Sequence, residues 1–115
     1  MDANGFIDLL KAYGADMHGI EDRFMGDMAL YTLCFDELLQ EPNLARLEAA
    51  MAKADYAQAF EAAHALKGIA GNLGLTPFYE AVCALVEPLR AKSYRSVETQ
   101  YENVLRQLRR LRALQ

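Results

Sequence analysis

One stretch of this chain sets titratable side chains at spacings that suggest chemistry. "EAAHALKGIAGNLG", residues 61–74, places Glu61, His64 and Lys67 three residues apart, with Gly68, Gly71 and Gly74 following. On a helix turning about 100° per residue, Ala59, Ala62, Ala63, Leu66, Ile69, Ala70 and Leu73 fall within about 60° of Leu66 and form a core stripe. His64 lies about 160° from that stripe, so it points away from the core. Residues three or four apart share a helix face, which brings Glu61 and Lys67 beside the imidazole. Gly68 and Gly71 lie on the same side.

A glycine inside a helix costs roughly 0.5–1 kcal/mol relative to alanine. Two of them beside an outward histidine imply a surface kept bare for another surface to approach, although fraying toward Gly74 would also tolerate Gly71. A neutral imidazole, with an ordinary pKa near ~6.5, is a nucleophile that can accept a phosphoryl group and later surrender it. Lys67 can balance charge on the phosphoryl oxygens. The sequence contains no GxxxxGK[ST] loop and no evident carboxylate cluster for Mg²⁺. The residues therefore describe a carrier with no cofactor of its own and no independent kinase or phosphatase activity. Any Mg²⁺ has to come with the partner.

The elements that must hold this motif are legible as helices. Apolar residues recur at spacings of three and four almost throughout, with no strand-like alternation, repeat or low-complexity tract. A short first helix is expected over Gly5–Tyr13, and a second through Ile20, Phe24, Met28, Tyr31, Phe35 and Leu38 until "QEPN" interrupts it. The pattern resumes with Leu44, Leu47 and Met51. Asp55, with Gln58 three residues on, reads as the N-cap of the motif helix. Gly74 ends that helix, and Thr76-Pro77 reads as the cap and first turn of the next, with Pro88 kinking or tightening its end. Val97, Tyr101, Val104, Leu108 and Leu111 mark a last helix with a bundle-like seam. The expected architecture is all-α: one domain over residues 1–115, an antiparallel four-helix bundle with a short additional N-terminal helix.

Composition narrows the class further. A chain of 115 residues suits one core, and no apolar run is long enough to span a membrane. The N-terminus lacks the basic start and cleavage site of a signal peptide. Cys34 and Cys83 form no CxxC pair and have apolar neighbours, so buried reduced thiols and a cytoplasmic location are expected. Net charge is −4, but residues 1–61 carry −8 and residues 62–115 carry +4. Arg106, Arg109, Arg110 and Arg112 crowd the last turns of the final helix, where cations complement the helix dipole. An acidic chain is a poor general nucleic-acid binder, so neither nucleic acid nor membrane is an expected partner.

"HALKGIAGNLG" closely resembles the signature of histidine-containing phosphotransfer (HPt) domains, and "GIEDRFMGDMALYTLCFDELL" and "LEAAMAKADYAQAFEAAH" resemble that family's helices. The resemblance covers roughly Gly19–Leu111. It implies an exposed histidine on a four-helix bundle that exchanges phosphoryl groups with receiver-domain aspartates in a multistep phosphorelay. The partners implied are response-regulator receivers, a hybrid sensor histidine kinase, or both. His64 would be the phosphorylated residue, Lys67 would assist the phosphoryl group, and Gly68 would admit the receiver. Asn72 and Gly74 match the positions that close the helix. Ile69 stands where the family usually has a small residue, which points to altered packing rather than lost function. Ile20, Phe24 and Phe60 are candidates for receiver docking, though each reads more readily as core.

Three other readings compete. Glu61-x-x-His64 matches the ExxH element of di-iron bundles, but those ligands face inward, and His18 has Ala15 at the matching position. A histidine-kinase dimerisation segment would need an ATP-binding domain, for which 115 residues leave no room. A receiver-binding or scaffold bundle that is never phosphorylated has the same elements, and the intact His-Lys-Gly set speaks against a decayed site.

Overall fold

Asp16, Asp27 and Asp55 each turn a carboxylate back onto the backbone three residues ahead, accepting from the N–H groups of Gly19, Leu30 and Gln58 at 3.1, 3.0 and 3.2 Å. Each satisfies a donor that the first turn of a helix leaves without a partner. In this computed structural model, which describes residues 3–115, these caps open three of seven helices. The helices are α1 (Ala3–Tyr13), α2 (Met17–Phe24), α3 (Met28–Leu38), α4 (Pro42–Ala52), α5 (Tyr56–Asn72), α6 (Thr76–Arg90) and α7 (Val97–Arg112).

Two expectations from periodicity are corrected. The apolar spacing from Ile20 to Leu38 does not make one helix, because Met25 (φ 53°) and Gly26 (φ 77°) are left-handed and Asp27 caps a new helix. Periodicity persists across the break because both helices bury a face: Ile20 and Phe24 on α2, then Tyr31, Phe35 and Leu38 on α3. Thr76 is not the cap of α6 but its first residue. The Leu75 carbonyl already accepts from the Tyr79 N–H at 2.8 Å, and no side chain caps the turn. Pro88 sits in the last turns of α6, which continues to Arg90.

Helices α4 to α7 form the bundle. α5 packs along both α4 and α6, and α7 packs along α6, each joined to the next by a short reversal. Leu47, Ala50, Leu66, Ala70, Val82, Leu85, Val86, Val104 and Leu111 fill its interior. With α1 to α3 included, the described chain is 41 Å long, against 21 and 20 Å across.

α1, α2 and α3 close one end of the bundle. Phe6 meets Phe35 edge-on at 5.2 Å between centroids, and Phe24 meets Tyr31 edge-on at 5.0 Å. The last carbonyls of a helix have no partner within it, and at the end of α5 these helices supply the donors. Arg23 Nε donates to Asn72 O at 2.8 Å, the Tyr31 hydroxyl to Leu73 O at 2.6 Å, and the Asp16 N–H to Gly74 O at 2.8 Å. Three successive carbonyls at the end of α5 are thus tied down. Gly74 is required for this, because its φ is +64° and a Cβ there would lie 2.8 Å from Ile20 Cγ1.

Candidate functional site

α5 is rich in alanine on its inner face. Ala59, Ala62, Ala63 and Ala70 are buried with Leu66 and Leu73, as the helical wheel requires, while Ile69 is only half-buried at the edge of the stripe. Small residues let α4 and α6 come close on either side. The opposite face is left to the candidate chemistry.

His64 is exposed on that face. Long side chains on a helix lean toward its N-terminus, and the imidazole accordingly lies against Phe60, with ring centroids 5.6 Å apart and planes tilted by 31°. Phe60 in turn carries the Arg90 guanidinium, 5.8 Å from its centroid, and Arg90 reaches Glu87 at 4.0 Å. One turn earlier, Tyr56 stacks on Tyr94 at 4.2 Å. Lys67 is half-buried and makes no ion pair among the described residues, so its ammonium is not neutralised by a carboxylate. Glu61 is exposed and is not paired with the imidazole.

The two glycines of the motif differ in surroundings. Nothing lies within 4 Å of the position a Cβ would occupy at Gly68, so the helix is bare there. At Gly71 the same position is 3.1 Å from Tyr79 Cε1. The backbone at Gly71 is therefore the seat of a neighbouring ring and is not open surface. His64, Lys67, Gly68, Gly71, Asn72 and Tyr79 line one open depression. Across Gly68 and Asn72 it adjoins a groove toward α3, where Cys34, Glu37 and Ile69 form the walls. The extra bulk of Ile69 is thus accommodated at the groove edge. On α3, Leu30 and Leu33 are 46% and 56% exposed, on the side away from the buried Tyr31, Phe35 and Leu38.

Other expectations meet the structure unevenly. Ile20 and Phe24 are buried, so they serve the core and not a docking face, while Phe60 is half-buried beneath His64. Cys34 and Cys83 are free but half-buried, a correction to the expected burial: Cys34 lies in the wall of the groove beside α5, and Cys83 lies beside, not within, the buried stripe of α6. Arg90 and Tyr79 were not legible as site residues from local sequence. Their signal is the tight turn at Gly74, which fixes the antiparallel register and sets Tyr79 opposite Gly71 and Arg90 opposite Phe60. The di-iron reading lacks its geometry, since His64 faces outward and no cluster of three or more metal-ligating side chains occurs among the described residues. No described helix is long and apolar enough to cross a membrane.

Neither the curated proteins nor the solved structures yielded a match to this chain. A family model did, and it takes in the whole His64 depression: the Hpt domain model matches residues 29–114. With most of its length matched, the chain belongs to the Hpt domain family, phosphocarriers of histidine phosphotransfer in two-component systems.

Proposed function

We propose that this chain is a phosphorelay intermediate whose His64 takes a phosphoryl group from the aspartate of one receiver domain and passes it to the aspartate of another. The observation that carries the reading is the exposed imidazole flanked by a half-buried Lys67, which has no ion pair among the described residues, and by the bare backbone at Gly68. The lone pair of an imidazole nitrogen attacks phosphorus. The N–P bond forms as the aspartyl P–O bond breaks, the bonding pair leaves with the carboxylate, and the ring proton stays on the other nitrogen. Donation runs the same step in reverse. Lys67 offsets the negative charge on the transferring oxygens. Among the described residues no carboxylate cluster accompanies His64, and we assign the Mg²⁺ that phosphoryl transfer calls on to the receiver. The receiver approaches over Gly68, and the exposed Leu30 and Leu33 on α3 offer it apolar contact. Receivers and hybrid kinases of this kind work in the cytoplasm, which is where we place the chain.

The test is incubation with a phosphorylated receiver and Mg²⁺, reading acid-labile, alkali-stable phosphate on this chain, with His64→Gln as control. Label on the wild type and none on the variant is expected. Receivers that bind but transfer nothing would replace this reading with that of a docking bundle that is never phosphorylated.

A further inference from the structure

Tyr79 is the residue of the depression that the phosphotransfer reading leaves without a task. Its ring rests on α5 where Gly71 has no side chain, with Cε1 and Cδ1 at 3.1 and 3.3 Å from the missing Cβ. It lines two hollows at once. On one side is the depression with His64 and Lys67; on the other is a polar hollow that contains Asp16, Arg23 and Glu80. The ring is therefore the partition between them. Cys83, one turn along α6, neighbours its hydroxyl and pushes the phenol above its ordinary range.

Lys67 stands one helical turn before Gly71 on the same stripe, next to this partition. A helical side chain leans by default toward the N-terminus, here the His64 side, but a lysine stem is flexible, and a bare Gly71 would offer it a second place to recline, toward the carboxylates of the second hollow. With the ring in place that route is filled, and the ammonium is left with the His64 side. We propose that Tyr79 is a positioning residue of the His64 site, its ring a partition that holds the Lys67 ammonium at the phosphoryl group. This rests on the phosphotransfer reading and deepens it. The ring performs the task through its bulk, and the hydroxyl is not needed for it.

The experiment is a kinetic cycle on the full chain with a phosphorylated receiver and Mg²⁺, each variant first checked by circular dichroism for a native melt. Tyr79→Phe keeps the ring and is expected to transfer within about twofold of wild type. Tyr79→Ala is expected to lower the single-turnover transfer rate at saturating receiver about tenfold, the scale of a displaced positioning group, with the receiver Kd within about twofold. In a Lys67→Ala background, Tyr79→Ala should cost nothing further, which loss of packing alone would not produce. Gly71→Ala, which shifts the ring without altering it, should give a smaller loss of that rate in the same direction. An unchanged rate in Tyr79→Ala, a loss that adds to that of Lys67→Ala, or a rise in Kd at constant saturating rate would each overturn the assignment. If wild type itself takes no phosphate while Tyr79→Ala still melts like wild type, it is the phosphotransfer reading that has failed.

Discussion

Gly68, Gly71 and Gly74 lie within seven residues of one another, and alanine at each should change stability with a different sign. At Gly68 the new methyl meets nothing within 4 Å, so only helix propensity acts. The gain is about 0.5–1 kcal/mol, which for a domain of this size raises the Tm by about 2–5 °C. At Gly71 the same gain is opposed by the Tyr79 ring 3.1 Å away, which must give by a few tenths of an ångström. The two effects nearly cancel, and the Tm should stay within about 2 °C of wild type. At Gly74 the φ of +64° is left-handed and the methyl would sit 2.8 Å from Ile20 Cγ1. Left-handed strain of about 1 kcal/mol plus displacement of a buried isoleucine puts the loss near 2 kcal/mol, or about 8–10 °C. Thermal melts by circular dichroism read all three. Transfer from a phosphorylated receiver then separates stability from docking. Gly68→Gln should keep the stability gain and raise the receiver Kd about tenfold, because its side chain occupies the approach. A Gly68→Ala protein no more stable than wild type would refute the propensity argument, and an unchanged Kd in Gly68→Gln would refute the clearance argument.

Three further outcomes follow from the framework around the site. Tyr31→Phe removes only the hydroxyl that pairs with Leu73 O, leaving that carbonyl without its partner, and should cost about 1–3 kcal/mol in urea unfolding. Asp55→Ala removes the cap of α5 and should cost about 1 kcal/mol, lowering the Tm by about 4–5 °C. Burial pushes the Tyr13 phenol up to about 12 and the Tyr31 phenol also well above its ordinary value of 10.0. Above pH 10 the folded chain therefore holds protons that the unfolded chain has lost, and the stability these phenols contribute, complete below that pH, declines as pH rises through their folded values. Tyrosinate absorbance should show these two ionising only as helical dichroism is lost; their titration while the dichroism is intact would contradict their burial.

The motif helix was legible because its periodicity and chemistry are both local. The stripe through Ala59, Leu66 and Leu73 is buried, His64 faces out, and Asp55 caps as its spacing requires. What escaped the sequence depends on partners distant along the chain. Apolar spacing alone could not distinguish one helix from two across Met25-Gly26, because two helices at an angle can present residues to one core at the same spacing. Thr76 looked like a cap, but Gly74 and Leu75 complete the turn through their backbones and leave its hydroxyl no such task. Gly68 and Gly71 read alike in sequence. Only the register of α6 shows that one is open and the other lies under Tyr79.

The family match begins at residue 29, yet two of the three donors that secure the end of α5, the Asp16 N–H and Arg23 Nε, lie before it. The same N-terminal stretch buries Phe6, Leu10, Tyr13, Ile20 and Phe24 against the bundle end. At about 1.5–3 kcal/mol for each buried side chain, and less for a realistic unfolded state, that burial amounts to about 5–15 kcal/mol. A whole domain of this kind has a net stability of about the same size. Removing residues 1–27 also uncovers Tyr31 and Phe35, so the loss extends beyond the deleted segment. The fragment from residue 28 onward, which keeps every residue of the His64 depression, should therefore show no cooperative melt at 25 °C and accept little phosphate. If it instead melts cooperatively within about 5 °C of the full chain, α1 and α2 are dispensable, and the end of α5 must be held by the bundle alone.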